Sequence, residues 1–433
     1  MRAEDDPLLT CRRNANFGSG AMINRLCSKT DAGFDIGRGY MKPDAGILED
    51  GRVAAASFWS TEQHDAEREA IFRCVWLYMA RVEDVPSPGD FVTRDVAICG
   101  TSVLIVRGKD GALRAFHNVC RHRGMPLTDR ACGNTEAFRC PYHSWTFGLD
   151  GELRTIPNQR RFPGLDVADL GLVPIALDIQ SGFVFINLDP RPRFTLTEFL
   201  GDITPFLKAT TLEPFSHVDT LSTVVPANWK AGLDPQMEGY HVGTVHALTI
   251  REVSVTPSNP FSEFRRVAFA GPHAAGWSHG NPGWKPNPER IVQSFAVQTL
   301  GAMARRVGGE GYPDGETPAS LAIFPNLMIH PGAGGWFTQQ HWPLTPESHR
   351  WTAHYYYHQP ATVSERFAIA QATTFARDSG MEDFLLMGAQ HAGLSSGATD
   401  TFLYGEAEIM PRHRAAVIRA ILEFHGTVAG GAT

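Results

Sequence analysis

The chain has 433 residues, 43% of them hydrophobic, enough to bury a sizeable core and to form two domains. Its net charge of −7 argues against nucleic acid as a partner. No apolar run approaches the length of a membrane span, no secretory h-region is visible at the N-terminus, and seven cysteines fit a reducing cytoplasm better than a disulfide scaffold.

In chain order, residues 1–40 are rich in Gly, Arg, Asp and Asn with little periodicity and are read as a poorly ordered tail. An N-terminal helical segment over 41–79 follows. Within it, 60–76 opens on Ser60 or Thr61 as a cap and sets its apolar residues on one face, which predicts a helix. Short β-type runs come next at 91–93, 102–107 and 112–116, the last two joined by the turn Lys109-Asp110-Gly111. They belong to a β-rich domain spanning 80–180. The run VFINL at 184–188 reads as a buried strand that returns the chain to a larger domain, 181–433. That domain is expected to hold helices around 196–206, 234–247, 292–303, 364–380 and 412–424, with antiparallel strands at 321–331 and 351–358.

Two clusters of metal-ligand residue types interrupt this pattern. The first is Cys120-x-His122 and, after seventeen intervening residues, Cys140-x-x-His143. Each half lies in a loop marked by Gly124 and Pro126 or by Pro141, and Gly133 and Asn134 between them read as a turn joining two short strands. Two hairpin tips that each donate one Cys and one His can close on a shared centre. A single structural zinc fits such a set, and so does a [2Fe–2S] cluster with one iron on Cys120 and Cys140 and the other on His122 and His143. The mixed halves favour the second, because small zinc fingers usually keep cysteines and histidines apart. Cys132, between the halves, is read as an ordinary thiol.

The second cluster is Glu238-x-x-His241-x4-His246. A helix through Met237 and Tyr240 would put Glu238 and His241 on one face. His241 and His246 would then be about 140° apart on a regular helix, so a break is expected at Gly243. Two imidazoles plus one carboxylate from a distant element make a facial set that points to non-haem Fe(II). HExxH is absent, which disfavours zinc peptidase chemistry.

On NVCRHRG (118–124), CPYHSW (140–145), LDGEL (149–153) and IFPNLMI (323–329), the chain resembles the large (alpha) subunit of the Rieske-type ring-hydroxylating non-haem iron oxygenases. The family more often has Gly or Ala where this chain has Ser144. The resemblance implies an α+β fold: a β-rich Rieske [2Fe–2S] domain plus a catalytic domain whose curved antiparallel sheet grips a long helix. It places the missing carboxylate on a late helix, at Asp383 in Met381-Glu382-Asp383, ahead of Gly393-Leu394-Ser395, with Glu382 as the alternative; Gly388 and His391 stand where Glu and Gln are customary. It makes Glu238 a bridge that hydrogen-bonds His241 and also His143 of the next subunit. Asp234-Pro235 replaces a common Glu-Asn, and the helix is expected to start at Pro235.

The resemblance further implies one Rieske cluster and one mononuclear Fe(II) per chain. NAD(P)H would be used only through a separate reductase, with or without a ferredoxin; the chain itself has no GxGxxG in a strand–helix context. Transfer across subunits implies a head-to-tail homotrimer or a multiple of it, with or without a small beta subunit. The expected reaction is hydroxylation or dihydroxylation of an aromatic or alicyclic small molecule by O2, as in aromatic hydrocarbon catabolism. Monooxygenation or O-/N-demethylation is the alternative within the class. An electron-transfer protein or a zinc-stabilised binding protein are the alternatives outside it. Pocket material is expected from 292–303 and 324–337, including Met303, Phe324 and Leu327.

Overall fold

The computed structural model describes residues 51–210, 215–278, 280–281, 283–284, 290–307, 316–332 and 335–430. The tail expected over 1–40 lies outside them. The chain divides into two units, Arg68–Phe199 and a second that joins the described residues up to Glu67 to those from Leu200 onward. Strand β1 (Arg52–Ala54) and helix α1 (Thr61–Glu67) belong to the second unit. The helix expected over 60–76 is therefore shorter: it widens into a π-type turn at Arg68–Phe72 and ends before a strand begins at Leu77.

The first unit contains β2 (Leu77–Arg81), β3 (Asp90–Val96), β4 (Thr101–Arg107), β5 (Leu113–His117), β6 (Cys132–Asn134), β7 (Ala137–Arg139), β8 (Thr146–Gly148), β9 (Leu153–Thr155), β10 (Pro174–Gln180) and β11 (Phe183–Asn187). A seven-stranded antiparallel sheet runs β2-β11-β10-β5-β4-β3-β6, and β7-β8-β9 form a second, smaller sheet. Alternate residues of the long strands (Phe91, Leu104, Val106, Phe116) turn to one core that also holds Leu127, Phe138, Trp145, Phe147, Cys120 and Cys140. The run at 184–188 is β11, paired with β2 and β10 in this first sheet. Its uninterrupted apolar side chains are buried on both faces, as an interior strand requires. Gly133 and Asn134 form no turn; they lie within β6, which pairs with β3, while β7 pairs with β8.

The second unit holds β12 (Phe215–Val225), helix α2 (Trp229–Leu233), helix α3 (Val242–Val245), β13 (Phe264–Ala270), β14 (His273–Ser278), helix α4 (Ile291–Val307), β15 (Ser320–Ile323), β16 (Leu327–Gly332), β17 (Gly335–Thr345), β18 (Ser348–His358), helix α5 (Val363–Ser395), β19 (Thr401–Leu403) and helix α6 (Ile409–Gly430). The seven-stranded antiparallel sheet β12-β18-β17-β16-β15-β14-β13 is its frame. The expected run at 321–331 is a hairpin, β15 and β16, rather than one strand. Trp351, Ala353, Tyr355 and Tyr357 alternate along β18 and pack against Ala368, Ile369, Phe384 and Met387 of α5 and against Ala296, Leu300 and Met303 of α4.

Helix α5 has 33 residues, a length of about 50 Å. It starts at a capping box: the Thr362 side chain accepts from the Glu365 amide, and the Glu365 carboxylate accepts from the Thr362 amide. Gly380, Asp383, Phe384, Met387 and His391 recur every three or four residues on its buried stripe. Asp383 therefore points inward by helical periodicity alone. A Cβ at Gly388 would lie 3.3 Å from the Pro226 ring, a close approach that suits glycine.

Candidate metal centres

The two Cys-His loops share one backbone design. The Cys120 amide donates to the Met125 carbonyl (2.8 Å) and its carbonyl accepts from Gly124 (3.0 Å); the Cys140 amide donates to Trp145 (2.8 Å) and its carbonyl accepts from Ser144 (3.0 Å). Each turn closes on a left-handed residue, Gly124 at φ 77° and Ser144 at φ 60°. Only the second loop is a hairpin tip, between β7 and β8; the first joins β5 to β6 and is braced by Asn118. That side chain donates to the Thr128 carbonyl (2.8 Å) and accepts from the amides of Leu127 (3.1 Å) and Thr128 (3.3 Å).

These loops bring together all four residues. Both cysteines are 2% exposed. The Nδ1 atoms of His122 and His143 face each other at 3.1 Å, and the Trp145 indole stacks on the His122 ring at 4.9 Å. Burial pushes the Cys120 thiol above its ordinary value, and the neighbouring Cys140 adds to the rise. Loss of water, then His143 beside it, lowers His122. Two buried thiols and two imidazoles aimed at one point are an unfavourable arrangement as free groups and a favourable one around a cation, which takes thiolate and neutral imidazole. The residues fit a Cys2His2 centre.

The second cluster forms differently from the helix anticipated. Helix α2 does not begin at Pro235; it begins at Trp229, capped by Asn228, and tightens into a 3-10 turn over Asp234–Met237. Glu238 is extended, with φ −149° and ψ 176°. The break thus precedes His241 instead of falling at Gly243, which sits inside α3. Gly239 makes the break possible, since a Cβ there would lie 2.0 Å from the Ser262 carbonyl oxygen. His241 and His246 are the residues that bracket the single turn of α3.

From these ends the imidazoles converge, their Nε2 atoms 3.0 Å apart. Asp383 Oδ1 lies 3.5 Å from His241 Nε2 and 3.3 Å from His246 Nε2. Ligands at about 2.1 Å from one metal are separated by about 3.0 Å at right angles and about 3.4 Å at the tetrahedral angle, so these three atoms fit three adjacent corners around a metal ion. Glu238 takes His241 Nδ1, and Glu382 takes His246 Nδ1 at 2.8 Å. Burial opposes protonation of His246, but the hydrogen bonds and charges of Asp383 and Glu382 outweigh it and raise its pKa. Each ring thus has one nitrogen oriented by a carboxylate and the other presented to the centre. Glu382, the alternative ligand, is spent on this orienting role and on the Thr249 hydroxyl.

Several contributors carried no sequence signal. Gln236 donates to Asp383 Oδ2 at 3.2 Å. Arg414 and Tyr404 hold Asp234 at 2.6 and 2.7 Å. Glu67 and Lys230 form a buried pair at 2.6 Å beneath α2. Their partners are remote in the chain, so no spacing reveals them. Met303, Phe324 and Leu327, expected as pocket material, are buried, and Met303 belongs to the core against α5. Of the remaining histidines, His273 accepts from the Phe324 amide, His354 meets the Thr220 hydroxyl, and His341 meets His349.

A β-unit with paired Cys-His loops, joined in one chain to a sheet-and-helix unit with two histidines and a carboxylate, defines a two-centre metalloprotein of Rieske type. The Rieske [2Fe-2S] domain family model matches residues 75–173, and that of the ring hydroxylating alpha subunit (catalytic domain) matches 212–423. The chain belongs to the Rieske-type ring-hydroxylating non-haem iron oxygenases, as a large (alpha) subunit. Among curated relatives, it is 35% identical over 190 residues to the carnitine monooxygenase oxygenase subunit of Acinetobacter baumannii (44% of this chain, 51% of that protein). It is also 35% identical over 227 residues to the naphthalene 1,2-dioxygenase system large oxygenase component of Pseudomonas aeruginosa (50% and 48%). The matched sequence spans about half the length of these relatives. In fold it is similar to a crystal structure of a quaternary ammonium Rieske monooxygenase, with a TM-score of 0.68 at 23% identity, covering 88% of this chain and 99% of that one.

Proposed function

We propose that this chain is the terminal oxygenase component of a system that uses O2 and reductase-supplied electrons to hydroxylate a small molecule. The observation that carries the reading is the convergence of His241, His246 and Asp383 with each outer imidazole nitrogen held by its own carboxylate. In this reading Cys120, His122, Cys140 and His143 hold the [2Fe–2S] cluster in the unit Arg68–Phe199, and the three-residue set holds Fe(II) in the unit that contains the residues from Leu200 onward. When bound, the cluster supplies single electrons and the iron supplies a site for O2 activation. The chain's own residues orient the imidazoles, keep Asp383 facing them and exclude water around the buried side of the site. Glu238, which holds His241 within the chain, is assigned the additional role of bridging to His143 of the next subunit. That role requires a head-to-tail ring, read as a homotrimer acting in the cytoplasm. Among the described residues no helix is long and apolar enough to cross a membrane.

Two substrate readings are carried forward. An aromatic or alicyclic substrate agrees with the naphthalene dioxygenase relatives, and monooxygenation of a polar quaternary ammonium compound agrees with the carnitine monooxygenase relatives. Iron and acid-labile sulfide analysis, with electron paramagnetic resonance of the reduced protein, tests the class. About three irons and two sulfides per chain are expected, and zinc without sulfide would leave a stapled binding protein. Oxygen uptake with both compound types, plus reductase, then separates the substrate readings. Asp383→Ala is expected to abolish uptake and keep the cluster spectrum; retained uptake would move the ligand to Glu382.

A further inference from the structure

Asp383 is the only member of the three-residue set whose two donor atoms are both available to a metal, so something must decide how many it offers. Oδ1 faces the two histidines, at 3.5 and 3.3 Å. Oδ2 accepts a hydrogen bond from Gln236 Nε2 at 3.2 Å. We propose that Gln236 is a positioning residue for Asp383: it ties one carboxylate oxygen so that the other alone faces His241 and His246. The inference rests on reading these three residues as a metal site.

A glutamine amide can point either way, and only one way gives Asp383 a donor. The direction is set by a chain of hydrogen bonds that starts at an indole. Trp351 Nε1 can only donate, and it donates to Gln339 Oε1 at 2.7 Å. That choice turns Gln339 Nε2 toward Gln236 Oε1, at 2.7 Å, and toward His330 Nε2, at 3.1 Å. His330 Nε2 is free to accept because its Nδ1 lies 3.3 Å from the Ala319 carbonyl, which takes the ring proton there. Burial holds this ring neutral, with its pKa down to about 4. With Oε1 engaged, Gln236 has only its NH2 group left for Asp383. Every polar atom of the Gln339 amide is satisfied, so reversing the chain would place donor against donor and acceptor against acceptor at several buried contacts at once.

The chain is anchored at both ends. Trp351 and Gln339 lie on β18 and β17, where Gln339 and Ala353 are register partners. Gln236 lies on the 3-10 turn Asp234–Met237, and Arg414 fixes that turn twice, donating to Asp234 Oδ1 at 2.6 Å and reaching Met237 Sδ at 3.8 Å. Neither end follows the metal site, so the tether restrains Asp383 before any metal arrives. That is how an oriented carboxylate keeps positions open for other ligands.

The test uses full-length protein stripped of its mononuclear metal by a chelator and titrated with Co(II), read by equilibrium dialysis and visible absorption. Gln236→Leu is expected to weaken Co(II) binding about 10- to 100-fold and to alter the Co(II) bands, with the melting of the metal-free protein unchanged. Wild-type affinity and bands in this variant overturn the inference. Asp383→Ala separates that outcome from failure of the site itself: wild-type Co(II) binding without the carboxylate would overturn the metal-site reading, not the tether alone. Should Gln236→Leu fail to fold, Gln236→Met, unbranched and of nearly the same length but without a donor, carries the test. Altered Co(II) bands in Gln236→Met support the tether, and bands identical to wild type overturn it.

Discussion

Glu238 and Glu382 do the same work from opposite sides of the centre. Glu238 approaches His241 from three residues away on the same loop, while Glu382 approaches His246 from α5, 136 residues later. The two imidazoles differ in how they are held, because one brace is local and the other exists only after the helix docks. Glu382→Gln keeps an acceptor for His246 Nδ1 and loses the charge. It is expected to weaken Fe(II) binding by about tenfold or more, measured by competition with a chromogenic chelator, and unchanged affinity would show that the charge of Glu382 adds nothing beyond its acceptor.

Glu238→Gln should separate metal binding from electron delivery. If the bridge assignment holds, both metals remain and single-turnover oxidation of the reduced cluster stalls. Normal turnover in that variant would remove Glu238 from the path between subunits.

Ser144 is a left-handed residue without the freedom of glycine, at φ 60°, whereas the equivalent position in the other loop is Gly124. A non-glycine residue in this region costs on the order of 1 kcal/mol or more. Ser144→Gly should gain about 1 kcal/mol, less what is lost with the exposed Arg139–Ser144 hydrogen bond. Gly124→Ala, where a Cβ meets nothing within 4 Å, should lose a similar amount through backbone strain alone. Denaturant unfolding followed by cluster absorbance compares the pair.

Gly232 admits the buried His341–His349 pair to the surface of α2. A Cβ there would lie 2.3 Å from His341 Nδ1 and 2.5 Å from His349 Nε2. Gly232→Ala should therefore cost about 1–3 kcal/mol by overpacking. Chemical unfolding at neutral pH would read it, and a stability equal to wild type would mean that both rings can withdraw.

Lys230 and Glu67 bond at 2.6 Å where neither is solvated, and Trp229 Nε1 donates to the other oxygen of Glu67 at 2.8 Å. Burial lowers the lysine's pKa, opposed by the charge of Glu67. Lys230→Met should cost about 3–5 kcal/mol because it strands the carboxylate. Adding Glu67→Gln, which still accepts from the indole, should recover much of that loss. A double mutant no better than the single would show that the pair's value lies in packing.

His413 stacks on Phe269 at 4.2 Å, and burial, helped by the nearby His273, pushes its pKa down to about 4. The unfolded imidazole binds a proton near its ordinary value of about 6.5, so unfolding takes up a proton between these limits. Stability is therefore intact above about pH 6.5 and is lost as pH falls through about 4, at up to about 1.4 kcal/mol per pH unit. His413→Gln should flatten that slope by the same amount in unfolding curves collected between the two limits.

The sequence by itself determined the donor types, the two-centre class and the late helix that brings a carboxylate, because ligand spacing and the resemblance are local patterns. Glu238, His241 and His246 were legible from eleven residues of text, 236–246. The conformation that unites them was not: the extended Glu238 depends on Gly239 passing against the Ser262 carbonyl, a contact between separate loops. Asp383 and Glu382 are adjacent acids; the resemblance puts the ligand at Asp383, but no local pattern says what Glu382 does. Their roles diverge because a 3.6-residue helix turns one into the buried stripe facing both imidazoles and the other toward His246 Nδ1 and Thr249. The tether through Gln236, Gln339 and Trp351 joins three segments more than ten residues apart, and only the packing of β17, β18 and the 3-10 turn brings them within hydrogen-bonding distance. Periodicity reports which face of an element is buried; what that face meets is decided when distant elements pack.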